Sequence, residues 1–122
     1  MLNRLMGAAR PQQPGLSAKD AVEKAAAGDV IVVDVRDGNE LAMSGKAKGA
    51  VHIPLAVIRM QADPSSPDFH PALDQSKPIA VYCASGARSS MAAQVFQTFG
   101  FDVSNIGGLG HWQMAGGEIE RA

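Results

Sequence analysis

Cys83 is the only cysteine in a chain of 122 residues. It opens the stretch Cys83-Ala84-Ser85-Gly86-Ala87-Arg88-Ser89. The apolar run Pro78-Ile79-Ala80-Val81-Tyr82 precedes it and reads as a buried strand; from Arg88 onward the pattern is helical. A thiol held between a strand end and a helix start, across a short glycine-containing loop, is placed for thiolate chemistry. The unpaired N–H groups and positive dipole end of a helix N-terminus favour an anion. The thiolate is the reactive form of cysteine, and such a setting lowers its pKa.

The loop residues suit that role by type. Successive N–H groups between Cys83 and Arg88 can curl into an anion-binding nest. Gly86 meets any need for positive φ. Arg88 brings a permanent charge and a planar donor fork. The hydroxyls of Ser85 and Ser89 can donate to sulfur or to a bound anion, or cap the following helix. No Asp or Glu lies between Asp74 and Asp102, whereas Lys77 and Arg88 do. That spacing predicts a locally positive site for small anionic substrates. A lone cysteine is more often a small buried hydrophobe; strand end, Gly86, Arg88 and helix together favour the reactive reading.

The rest of the chain reads as alternating helices and strands. A helix is expected from Ser17, with Asp20 in its first turn, to Ala27 before Gly28. Val30 to Val35 is a continuous β-branched run suited to a central parallel strand. Asp37 to Asn39 reads as a turn, 40–44 as a short helix, 45–49 as a loop and 51–53 as a brief strand ended by Pro54. A helical segment over 55–60 precedes an irregular surface excursion over 61–76, marked by Pro64, Pro67 and Pro71. Met91, Ala92, Val95, Phe96 and Phe99 predict one buried helical face, closed by Gly100. A last strand over 103–106 leads through a tight turn at 107–110 into a final short helix. The expected fold is α/β: a single domain over residues 15–122, with a mainly parallel sheet of about five strands and helices on both faces. Ligands of such sheets lie beyond the carboxyl ends of the strands, where Cys83 falls. Residues 1–14 are read as an arm, either a loose tail or a docking helix on Leu2, Leu5 and Met6.

Composition narrows the class. Apolar residues make up 46% and charged residues 19%, as in a globular domain. A net charge of −1 gives no bulk attraction to nucleic acid or an anionic membrane, and no partner of either kind is expected. No apolar run approaches the roughly 20 residues that span a bilayer. One cysteine forms no internal disulfide, and the N-terminus lacks a secretory h-region, so a cytoplasmic location is expected. His52 and His70 read as structural and solvated; His111, beside Trp112, is a candidate for lining the site. The three share no ligand spacing with Cys83, so neither a metal nor another cofactor is expected.

These stretches resemble the rhodanese homology domain in its single-domain sulfurtransferase form, over roughly residues 16–119. Asp34-Val35-Arg36 with Glu40 and Gly45 looks like its first block, and 49–55 (Gly-Ala-Val-His-Ile-Pro-Leu) like its second. Cys83 to Ser89 matches its pattern C-x-x-G-x-R-S, and Gly107-Gly108 with Trp112 its C-terminal signature. Lys46 and Ala47 replace the histidine and isoleucine of many members, which reads as a surface-turn variation. Ala84, Ser85 and Ala87 leave the loop interior uncharged, where some thiosulfate-specific members carry basic residues.

The resemblance implies sulfane-sulfur transfer through a persulfide on Cys83, from thiosulfate or a similar small anionic donor to a thiol or cyanide. Ala84, Ser85, Gly86, Ala87, Arg88 and Ser89 would bind the substrate, with Asp34 and Arg36 as paired structural support. A persulfide carrier or partner-binding module in a sulfur relay, with a protein partner, is the alternative. A related phosphatase family has five residues between its Cys and Arg; here there are four, a smaller cradle. The same count disfavours arsenate reduction.

Overall fold

The computed structural model describes residues 15–122, and the expected arm at residues 1–14 lies outside the described residues. The first two helices and the two inner strands begin where local chemistry favours them. Helix α1 (Ala18–Ala26) starts at a capping box in which the Ser17 hydroxyl accepts from the Asp20 N–H and the Asp20 carboxylate from the Ser17 N–H. Asp37 and Glu40 form the same device at the start of α2 (Gly38–Ser44), two residues earlier than the expected helix. The β-branched run yields β1 (Ile31–Asp34), and the run before the cysteine yields β4 (Ile79–Cys83), every residue of which is buried.

The central sheet has four parallel strands in the order β3-β1-β4-β5, with β3 at Val51–His52 and β5 at Val103–Gly108. The expectation was about five. The further pairing lies outside this sheet, in an antiparallel ribbon of β2 (Lys46–Ala47) and β6 (Ile119–Glu120). These strands of two residues carry no periodic signal, and a cross-strand ion pair between Lys46 and Glu120 ties them. Ala47, expected on a surface turn, is fully buried in that ribbon.

Side-chain alternation sorts the core into two layers. Val33, Val35, Ile79, Val81 and Cys83 face one layer with Ile53, Ile58, Phe96 and Phe101. This layer is covered by a 3-10 turn (Leu55–Val57), α3 (Ile58–Gln61) and α4 (Ala87–Thr98). Val32, Ala80 and Tyr82 face the other, against Ala21, Leu109 and Trp112 of α1 and α5 (Leu109–Met114). Both faces are covered, so the two inner strands are apolar along their length, except for Asp34 at the end of β1.

Two other expectations shift. Met91 is 58% exposed, and the buried face of α4 is Ser89, Ala92, Val95 and Phe96. A serine begins that stripe, so hydrophobicity alone misplaced it. The excursion over 61–76 has turns at Asp63 and Asp74, whose carboxylates accept N–H groups two residues on. It also seals the core, with Leu73 buried and the Phe69 ring 6.5 Å from that of Phe101. No helix among the described residues is long and apolar enough to cross a membrane.

Candidate active site

Because β4 alternates, its last residue, Cys83, points toward α4. The chain then turns through Ala84, Ser85 and Gly86 into that helix. Gly86 is its N-cap at φ 111°, a conformation that side chains with a Cβ strain to adopt. This turn aims the amides inward. The Gly86 N–H donates to Cys83 Sγ at 3.0 Å, the Ser89 N–H lies 3.4 Å away, and the Ser89 hydroxyl also lies at 3.4 Å. Burial pushes the thiol up. The Ser89 hydroxyl and the N–H groups of Ser89, Gly86 and Ser85 outweigh it, bringing the pKa from 9.0 down to about 7.

The sulfur sits at the floor of the cup these donors form, and Cys83 as a residue is only 1% exposed. One wall is backbone: Gly108 pairs with Cys83 across the sheet, and a Cβ there would lie 2.1 Å from the Ala84 carbonyl oxygen. The Gly107-Gly108 stretch, expected as a tight turn, is thus the end of β5 pressed against the cysteine loop. His111 does not point at the sulfur. Its Nδ1 accepts the Gly108 N–H at 2.9 Å and closes the first turn of α5.

The other expected site residues divide. Ala84, Ser85 and Ala87 stand exposed around the rim, whereas Ser89 is fully buried. Arg88 reaches across to α2, where its fork meets both Glu40 carboxylate oxygens at 2.5 and 2.9 Å. This corrects the expected positive site: the stretch lacks acids in sequence, but the fold delivers one from 48 residues away. The Arg88 hydrogen bond holds the Glu40 carboxyl down at about 2, and Glu40 in turn raises Arg88.

Asp34 and Arg36 form a second polar cluster at the end of β1. Both are buried, with Arg36 Nη2 at 2.7 Å from Asp34 Oδ2. Asp34 also accepts from the Arg36 N–H and the Tyr82 hydroxyl, the latter at 2.6 Å. Arg36 further donates to the Ser44 hydroxyl and the Gly45 carbonyl, and the Tyr82 oxygen accepts the Ala47 N–H. Burial and the Asp34 bond push the Tyr82 phenol up. His52 Nε2 donates to the Arg36 carbonyl at 2.7 Å.

Sequence reasoning missed Asn105 in this setting. Its amide donates to the Gly86 carbonyl, and its Oδ1 accepts from the Ser89 hydroxyl at 2.7 Å and the Gly107 N–H at 3.0 Å. The available signal was an amide side chain within the strand that leads into the Gly107-Gly108 stretch. Among the described residues, no group of three or more His, Cys, Asp or Glu side chains is arranged to hold a metal ion.

The fold and cradle define a single-cysteine α/β domain whose thiol stands at the carboxyl end of an inner strand. A family model for the rhodanese-like domain matches residues 17–115, and the chain belongs to that family. Among solved structures, a Rhodopseudomonas palustris protein of unknown function, described as a "Possible Tyrosine Phosphatase", is 35% identical. The match covers 87% of this chain and 83% of that one, with a TM-score of 0.73. A rhodanese-related protein from Thermoplasma volcanium is 25% identical, covering 90% and 100%, with a TM-score of 0.70. An Escherichia coli rhodanese described with anions is 28% identical, covering 67% and 89%, with a TM-score of 0.53. Comparison with curated proteins gives no match.

Proposed function

We propose that this domain is a sulfurtransferase that carries sulfane sulfur as a persulfide on Cys83. The observation behind it is the Cys83 sulfur accepting the Gly86 N–H at 3.0 Å, with the Ser89 amide and hydroxyl at 3.4 Å, at the start of a twelve-residue helix. These donors are fixed before reaction and suit an anionic sulfur. In the first half-reaction the Cys83 thiolate attacks the outer sulfur of thiosulfate. The new S–S bond forms as the old one breaks, and sulfite leaves with the bonding pair. Cyanide or a thiol then attacks the outer sulfur, and the Cys83 thiolate departs, giving ping-pong kinetics. With Arg88 held by Glu40, donor binding falls chiefly to the loop amides. Thiosulfate thus serves as a probe, and a less charged persulfide donor, presented by a protein partner in a relay, fits the uncharged rim equally well. A reducing cytoplasm would keep the single thiol free.

Intact-mass measurement after thiosulfate exposure tests the proposal. We expect a gain of one sulfur atom that cyanide removes and that Cys83→Ser lacks; no adduct with any sulfane donor overturns it. Turnover in the thiocyanate assay separates an enzyme from a stoichiometric carrier. The description of the R. palustris relative favours a second reading, phosphatase. The cradle of four residues between Cys83 and Arg88, and an arginine already paired, speak against it. Cysteine-dependent hydrolysis of an aryl phosphate without persulfide formation would support it.

A further inference from the structure

The Ser89 hydroxyl has one proton and three acceptors within reach: Asn105 Oδ1 at 2.7 Å, Cys83 Sγ at 3.4 Å and the Gly107 carbonyl at 3.4 Å. Ser89 is fully buried, so no bulk water relieves the competition. The orientation of the Asn105 amide is not arbitrary. Its Nδ2 faces the Gly86 carbonyl at 3.0 Å and its Oδ1 faces the Gly107 N–H at 3.0 Å. A flipped amide would set donor against donor and acceptor against acceptor. An oxygen is therefore locked in front of Ser89. The 2.7 Å contact takes the proton while Cys83 is a neutral thiol, leaving a Ser89 lone pair open to the S–H.

We propose that Asn105 is a positioning residue of the sulfur site: it holds the Ser89 hydroxyl proton while Cys83 is a thiol and yields it to the sulfur once a thiolate or persulfide anion forms.

The exchange leaves no buried group unpaired. Asn105 Oδ1 keeps the Gly107 N–H when Ser89 turns away, and the hydroxyl gains a charge-assisted bond to sulfur. The balance is simple: the S–H proton passes to solvent, and the Ser89 O–H bond stays intact and changes acceptor. Asn105 is thus a counterweight that favours the resting thiol. The inference rests on Cys83 being the sulfur-bearing group. Charged neighbours are few at this end of the sheet. Arg88 on α4 interacts electrostatically with Cys83 and is neutralised by Glu40 on α2. Asp34 and Arg36 at the end of β1 neutralise one another, β5 carries no ionisable residue, and His111 on α5 is bonded to the Gly108 N–H.

The test is the pH profile of Cys83 alkylation by iodoacetamide, checked by thiolate absorbance near 240 nm, which needs no sulfur donor. It therefore stands even if persulfide formation fails, and failure of either reading is seen separately. Asn105→Ala frees the hydroxyl for sulfur, so the profile should move to lower pH. The rate at pH 6 should rise about three- to tenfold, the range for one hydrogen bond. In a Ser89→Ala background the same substitution should move nothing. Asn105→Asp, the second variant should the first misfold, keeps and strengthens the acceptor. It should move the profile to higher pH, and by more with Ser89 present than in Ser89→Ala, where only its charge acts. An unchanged profile, a shift in the opposite direction, or equal shifts in both backgrounds would overturn the proposal and leave Asn105 a strut of the loop.

Discussion

Two polar clusters stand at the ends of adjacent strands, and they are built on opposite terms. At the end of β1, Asp34 is saturated by the Arg36 guanidinium and amide and by the Tyr82 hydroxyl, and it is fully buried. At the end of β4, the Cys83 sulfur faces donors that await a charge: one N–H at 3.0 Å, and another N–H and a hydroxyl at 3.4 Å. The first cluster gains nothing from a ligand, because every group is already paired. The second improves when negative charge arrives, since its bonds then become charge-assisted. Saturation makes structure, whereas donors prepared for a charge not yet present suit an anion.

Substitutions can break this contrast. The largest expected effect is Cys83→Ser, which should reduce persulfide formation and thiocyanate production to background while the thermal midpoint barely moves. Asp34→Ala should do the reverse. It leaves the Arg36 charge buried without its partner, a loss of about 3–5 kcal/mol in chemical denaturation. The Cys83 alkylation profile should stay near its original pH as long as the domain is folded. Tyr82→Phe strips the Ala47 N–H and Asp34 of one bond each and should cost about 1–3 kcal/mol on the same assay.

The pH dependence sharpens the contrast further. The Cys83 thiol falls from 9.0 to about 7 in the fold, with burial opposing and the Ser89 and loop donors prevailing. A lowered folded pKa means the fold favours the charged form. The resulting stability is present above the unfolded value near 9 and is lost as pH falls through about 7. Wild-type denaturation midpoints should therefore rise from pH 7 to pH 9 more than those of Cys83→Ser, and alkylation should reach half its limiting rate near pH 7. The smallest effect on stability belongs to Glu40→Gln, about 0–1 kcal/mol for a pair that solvent reaches. Its readout is the donor: a released Arg88 should lower the thiosulfate KM and make it more salt-sensitive. An unchanged KM would show that Arg88 takes no part in donor binding.

Much of this molecule was legible along the chain because the signals were local. The runs before Asp34 and Cys83 announced buried parallel strands, and Ser17 with Asp20 announced a helix start. Gly86 after a strand-end cysteine announced a loop able to curl its amides inward. The strand ribbon at Lys46 and Ile119 was not legible, because two residues cannot establish a period. Nor was the buried face of α4, whose first member is a serine. Glu40 and Asn105 illustrate the larger gap: one lies 48 residues from Arg88 and the other 16 from Ser89.

The amino-acid sequence by itself determined the lone thiol at a strand end, the helix behind it and the glycine that turns the chain between them, since each depends on neighbours in the chain. Tertiary structure alone decided the charge at the cup and the direction of its hydroxyl. Those depend on which distant carboxylate and which distant amide the folded sheet brings within 3 Å, and electrostatics and hydrogen bonding act through space with no regard for sequence separation.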